Sequence, residues 1–154
     1  MYAYIGLSVG DLVSGFLSQL LKSRKKVVQL YLGFTLICVI SFLLLHAYNI
    51  TENTYYFMCF LLGAGTGYWA IFVTIAAEQF GTNIRSTAAN TIPNLVRGSV
   101  NIVVLFFGLL VSAGINDGIS AMIVGIAFIA LAFYSISKLK ETFGKDLNYF
   151  DETL

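Results

Sequence analysis

The sequence predicts an all-α polytopic membrane bundle of five transmembrane helices. Three observations carry that expectation. Of the 154 residues, 58% are hydrophobic and only 11% charged, against roughly a quarter charged in a soluble domain. Apolar runs near twenty residues recur along the chain, and each is long enough to cross about 30 Å of hydrocarbon as a helix. The basic residues gather in clusters between those runs instead of spreading along them. The spans expected are 2–21, 27–48, 55–80, 93–114 and 119–137, followed by a cytoplasmic tail over 138–154. No basic flank or small-residue cleavage site marks the first run as a secretory signal.

The first span carries Gly6, Gly10, Ser14 and Ser18 at intervals of four. That spacing puts small side chains in one row, where two helix backbones can approach closely in lipid. Val9, Leu12, Val13, Phe16 and Leu20 form the opposite, bulky side, expected to meet lipid. Asp11 stands near the middle of this span. An ionised carboxylate at that depth is costly, about 2.5–3.5 kcal/mol on insertion scales, and by default marks a functional position. Ser8 and Gly15 share its face and point to a polar path. The structural alternative is a protonated Asp11 bonded to a neighbouring helix.

Residues 22–26, Lys-Ser-Arg-Lys-Lys, are the densest charge run and set a topological marker. The second span is apolar nearly all round, with Gln29, Thr35 and Ser41 as minor exceptions, which suits a lipid-facing rim. His46 lies near its far end with no acidic or cysteine neighbour at ligand spacing, so it reads as interfacial and no metal or other cofactor is expected. Cys38 and Cys59 sit within apolar runs and read as small hydrophobes. Asn49-Ile50-Thr51 matches a glycosylation sequon, a short pattern frequent by chance.

The third span contains Gly63, Gly65 and Gly67, with Thr66, Tyr68 and Trp69 among and beside them. Gly-Ala-Gly-Thr-Gly lacks the Gly-Lys-Ser/Thr of a phosphate loop and lies in mid-membrane, so the glycines serve close packing or a bend. Thr66, Tyr68 and Trp69 either border a solute cavity, where the rings offer flat apolar area and donors, or pack ordinarily between helices. Neighbours on a helix are about 100° apart, so only one of Tyr68 and Trp69 is expected to face a cavity fully. Thr74 and Glu78 share a face at the end of the span. Residues 82–91 form a polar connector, expected as a short amphipathic helix capped by Thr82. Pro93, the chain's one proline, suits the first turn of the fourth span. Asn94, Arg97 and Asn101 then fall on one helix face. Residues 114–118 make a tight turn, and the fifth span is almost featureless, again expected at the lipid side.

Charge supplies an orientation. With five spans, all nine Lys and Arg residues fall on one side, and the opposite turns carry only Glu52 and Asp117. The positive-inside rule then places the N-terminus outside and the C-terminus in the cytoplasm of a cell membrane.

The run Glu78-Gln79-Phe80-Gly81-Thr82-Asn83-Ile84-Arg85 resembles the cytoplasmic link between the tenth and eleventh helices of major facilitator superfamily transporters. Gly81 stands where their sugar-porter branch has proline, so the likeness is to the superfamily. Gly15-Phe16-Leu17-Ser18-Gln19, followed by Arg24-Lys25-Lys26-Val27, resembles a degenerate form of that family's loop motif between the second and third helices of each half. Gln19 replaces its acidic residue, Leu20 the Arg that follows, and the spacing is one residue longer. The tail pattern Glu-Thr-x-Gly-Lys-Asp-Leu from Glu141 resembles the segment after the twelfth helix of bacterial members. By this resemblance the five spans correspond to helices eight to twelve, with the N-terminal half and the seventh helix outside this chain.

The resemblance implies the C-terminal part of a secondary transporter that moves a small solute by alternating access, with or without a coupled proton. Its partners are the lipid bilayer, the solute, and an N-terminal half or second chain. Substrate or proton pathway residues are Asp11, Thr66, Tyr68, Trp69 and Asn101. In the resembling porters the Glu at the Glu78 position pairs with the arginine of the loop motif, which implies a cytoplasmic charge latch drawn from Glu78, Arg24, Arg85 and Arg97. The bland alternative is that these charges anchor helix ends at the headgroups. A second functional class is a truncated gene product or membrane assembly subunit that transports nothing alone. Neither an enzyme motif nor a nucleic-acid partner is indicated: there is no His-Glu-x-x-His, no Gly-x-Ser-x-Gly and no acidic pair at catalytic spacing.

Overall fold

The computed structural model describes residues 1–46, 51–146 and 148. Asn49 and Ile50 of the sequon, the side chain of His46, and most of the tail after Asp146 lie outside those residues. The described chain is helical with no strand. Seven helical segments are α1 (Tyr2–Leu21), α2 (Arg24–His46), α3 (Glu52–Gly65), α4 (Trp69–Glu78), α5 (Arg85–Gly98), α6 (Val100–Ser112) and α7 (Asp117–Lys138). α3 with α4, and α5 with α6, run on as single crossings. The chain thus has five helices long and apolar enough to span a membrane: Tyr2–Leu21, Arg24–Leu45, Glu52–Glu78, Arg85–Ser112 and Asp117–Lys138.

α1 divides as its sequence predicts. Gly6, Gly10, Ser14 and Ser18 are its buried residues, while Val9, Leu12, Val13, Phe16 and Leu20 are exposed. The buried row lies along α3 and the start of α4. A methyl group built on Gly63 would strike Ala3, one on Gly6 would lie between the Phe60 carbonyl and the Ala64 amide, and one on Gly67 would strike the Gly10 backbone, so residues 3, 6 and 10 meet 63, 64 and 67. Rising residue numbers on one helix meet rising numbers on the other, so the first and third crossings run parallel. That direction requires α2 to return across the membrane between them. Tyr2 stacks on Tyr56 at one end, with ring centroids 5.0 Å apart, beside Phe42 and Tyr55. Aromatic rings of this kind collect where a bilayer meets water.

The turn after α6 uses Gly114 at φ +84°, a left-handed geometry that glycine adopts without strain. The amide of Ile115 bonds the Leu110 carbonyl and that of Gly114 bonds Val111, closing α6 as a Schellman motif. Asn116 then caps α7 by accepting from the Gly118 amide at 2.9 Å.

Three expectations are corrected. The second span is at the rim by one face only: Leu30, Phe34, Ile37 and Leu44 are exposed, but α2 also touches α1, α3, α4 and α7, and its Val27, Val28, Tyr31 and Leu32 form the core with Ile71, Ile75 and Ile136. A uniformly apolar helix fits a protein core as well as lipid, so composition could not choose between them. The fourth crossing is the bare one: along α5 and α6 only Pro93 is buried. Proline also sits inside α5 instead of opening the span, and Ile84, not Thr82, holds the N-cap position, without a side-chain bond. Gly98 and Ser99 carry the helix onward with only a local irregularity. Among the flanking side chains, Asn90 and Asn94 reach back to the carbonyls of Ser86 and Asn90.

The close approach of α1 to the third crossing predicts an asymmetric glycine scan. Gly67→Ala, which drives a methyl group into the Gly10 backbone, is expected to destabilise the bundle by about 1–3 kcal/mol. Gly15→Ala, with nothing within 4 Å of the added carbon, is expected to leave thermal unfolding in detergent unchanged. Equal melting of the two variants would contradict the packing.

Candidate functional site

The third crossing breaks where its small residues concentrate. α3 ends at Thr66, whose amide still bonds Leu62 and Gly63, and α4 begins only when Phe72 bonds the Tyr68 carbonyl. Each helix end leaves backbone groups without helical partners, and here the chain's other spans supply them. Thr35 donates to the Gly65 carbonyl at 2.7 Å, and Thr66 donates to Gly63 at 2.9 Å. Tyr31 donates to the Gly10 carbonyl at 2.9 Å on the facing helix. At the new N-terminus of α4, Asp11 accepts from the Ala70 amide at 3.4 Å. The partial positive charge of a helix start favours a carboxylate there. Asp11, half-buried near the middle of its own span, thus accepts a bond from a neighbouring crossing. Its facemate Ser8 turns its hydroxyl back to the Tyr4 carbonyl.

Tyr68 and Trp69 both line one cavity of about 260 Å³, shared with Val28, Leu32, Phe72 and Val96. The helical 100° rule does not separate them because Tyr68 lies outside regular helix, at φ −122°. Thr66 opens instead on a separate pocket beside Ala3, Tyr4 and Leu7. Arg97 stacks over the Trp69 ring at 5.3 Å from its centroid. That puts Arg97 with the cavity, some 14 Å along α4 from Glu78 by helical rise, and apart from the latch in which the sequence grouped it. Asn101 is exposed one turn further on.

At the other end of α4, Arg24 and Glu78 form an ion pair, with their side chains 20% and 8% exposed. Arg85 folds back so that its guanidinium donates to the Phe80 carbonyl at 3.3 and 3.4 Å. A third component escaped the sequence reading. Glu141 accepts from the Ser23 hydroxyl and, at 3.1 and 3.4 Å, from the Arg24 and Lys25 amides that open α2. Lys25 in turn donates through Nζ to the Ser137 and Leu139 carbonyls at the end of α7, at 2.6 and 3.1 Å. Gln79 donates to the Lys140 carbonyl at 3.0 Å. An anion thus sits at a helix start and a cation at a helix end, each where the dipole favours it. Partial burial pushes the Glu141 carboxyl upward. The Ser23 hydroxyl and the Phe143, Arg24 and Thr142 amides outweigh it and hold the group below the usual carboxylate range. The signal for this clasp was present in the Glu-Thr-x-Gly-Lys pattern, but only folding brings residue 141 onto residue 23.

Two outcomes follow at this end. Glu78→Gln leaves Arg24 uncompensated in a partly buried place, an expected loss of about 3–5 kcal/mol, and Arg24→Glu with Glu78→Arg is expected to recover part of it in thermal melts. For Glu141 the folded pKa is depressed. Its contribution is therefore full above the unfolded carboxyl's value of about 4.3 and is lost as pH falls through the lower folded value. Glu141→Gln should melt earlier at pH 7 and lack that acid-side loss in nanodisc-held protein; an unchanged melting profile from pH 7 to 3 would contradict the clasp.

No family model matches the chain, and no curated protein or solved structure matches it either, which leaves the geometry of the chain itself to support a functional reading.

Proposed function

We propose that this chain is the C-terminal part of a facilitator-type secondary active transporter that moves a small solute across a cell membrane by alternating access. The observation that carries the reading is the broken third crossing: α4 starts at mid-span against the carboxylate of Asp11 from another span. Discontinuous helices with ionisable side chains at their inner ends are how transporters build solute and ion sites near the bilayer midplane. Asp11 is the coupling-proton candidate, and Thr66, Tyr68, Trp69 and Asn101 border the solute path. The bare α5–α6 face is where the remaining part of the transporter, or a second chain, packs. Eight of the nine basic residues lie at or beyond the crossing ends on one side, Arg97 being the one within a crossing, and the positive-inside rule supports an N-terminus outside and a tail in the cytoplasm. There the Arg24–Glu78 pair and the Glu141 clasp act as a latch that holds the cytoplasmic ends together and opens during transport.

A membrane assembly subunit with no transport of its own is the second reading, and the same bare fourth crossing favours it. Two measurements separate the readings. In a transport-competent protein containing this segment, Asp11→Asn is expected to abolish uptake or its proton dependence without loss of expression; unchanged uptake at every pH overturns the role of Asp11. With Cys38 and Cys59 replaced by serine, cysteines at Thr66 and Trp69 should react with a membrane-impermeant maleimide in one transport state and be protected in another. Shielding of both positions in every state would leave the assembly reading.

A further inference from the structure

The charge on Arg97 has no role in the latch and none assigned in the cavity. By helical rise it lies about 18 Å from the Arg85 end of a crossing 28 residues long, close to the middle. Trp69, the residue it covers, opens α4 roughly 14 Å above Glu78. Arg97 is exposed, and among the described residues no carboxylate lies within ion-pairing distance of it. A guanidinium at mid-depth is costly in hydrocarbon and as a rule faces the bundle interior, a water-filled cavity or a hydrogen-bonding partner. The guanidinium carbon of Arg97 lies over the Trp69 ring, 5.3 Å from its centroid, and a guanidinium offers a planar fork of N–H donors that matches a carboxylate in two parallel hydrogen bonds. Beside the same ring is the 260 Å³ cavity, walled by Tyr68, Phe72, Val96, Leu32 and Val28. Apart from Tyr68 and Ser135 the wall is apolar and would receive hydrocarbon, not a sugar or a bare phosphate.

We propose that Arg97 and Trp69 form a binding site for an amphipathic monocarboxylate, the carboxylate on the Arg97 fork and the apolar body in the cavity beside Trp69. The site supplies the substrate class for the transport reading, and it rests on that reading for its purpose. Asp11 accepts from the Ala70 amide and forms no ion pair with Arg97 among the described residues.

Trp69 is the chain's single tryptophan, so it reports directly on the site. Nanodisc-held protein would be titrated with cyclohexanecarboxylate, with its neutral isostere cyclohexylmethanol, and with inorganic phosphate, following tryptophan emission. The carboxylate is expected to give a saturable change, the alcohol and phosphate none. Arg97→Gln should weaken the carboxylate response by about tenfold or more, and Arg97→Lys, which keeps the charge but loses the planar fork, should fall between. The comparison of acid with alcohol needs no variant, so misfolding of either substitution leaves the test intact. An equal response to the alcohol, no saturable response to the acid, or a response that survives in folded Arg97→Gln overturns the site. Maleimide access at Thr66, on its separate pocket, reads the transport proposal separately: state-dependent labelling there with no carboxylate response at Trp69 would remove the anion site and leave alternating access standing.

Discussion

Inside a bilayer a backbone amide or carbonyl has no water to bond, so every interruption of a helix must be satisfied by the protein. That constraint governs the centre of this molecule. The third crossing gives up regular helix between Gly65 and Trp69, and the groups released there are met by Thr35, Thr66 and Asp11. Those partners come from the first two spans and from the break itself. The break therefore ties α1, α2 and α3–α4 into one unit, and the glycines of α1 and α3 let the backbones come near enough for the bonds to form.

A break of this kind leaves two different ends of α4. Its start lies in the apolar middle of the bundle with a carboxylate and an aromatic pair; its finish lies among charges at the basic end. Ten residues of helix, Trp69–Glu78, join the two. A displacement of α4 would thus be felt at Asp11 and at the Arg24–Glu78 pair together. In the transport we propose, this one rigid segment would be the mechanical link between the two ends.

The basic end adds a second tie between distant parts of the sequence. Glu141 opens α2 and Lys25 closes α7, so each helix terminus is satisfied by the other's segment. The core residues Val27, Val28, Ile71, Ile75 and Ile136 lie next to this exchange. Packing and hydrogen bonding therefore reinforce the same end of the bundle, while the fourth crossing stays outside both.

What the sequence determined by itself was everything that depends on local chemistry. Apolar run length set five crossings, a four-residue repeat of small side chains set the packed face of α1, and Gly114 with Asn116 set the last turn. The pairing of Glu78 with Arg24 was legible only through a family likeness. Tertiary structure decided the rest. Whether an apolar helix faces lipid or protein is not written in its composition, because both surroundings accept the same side chains, and so α2 turns one face to the core and keeps the other exposed. Pro93 was compatible with a helix start and with a helix interior, and the continuous α5 chose the interior. Arg97 was placed with the charges nearest in sequence class, yet it stacks on Trp69, and Glu141 crosses more than a hundred residues to reach Ser23. Contacts of that separation arise only once the spans are packed, since nothing in the intervening residues encodes the distance between their ends.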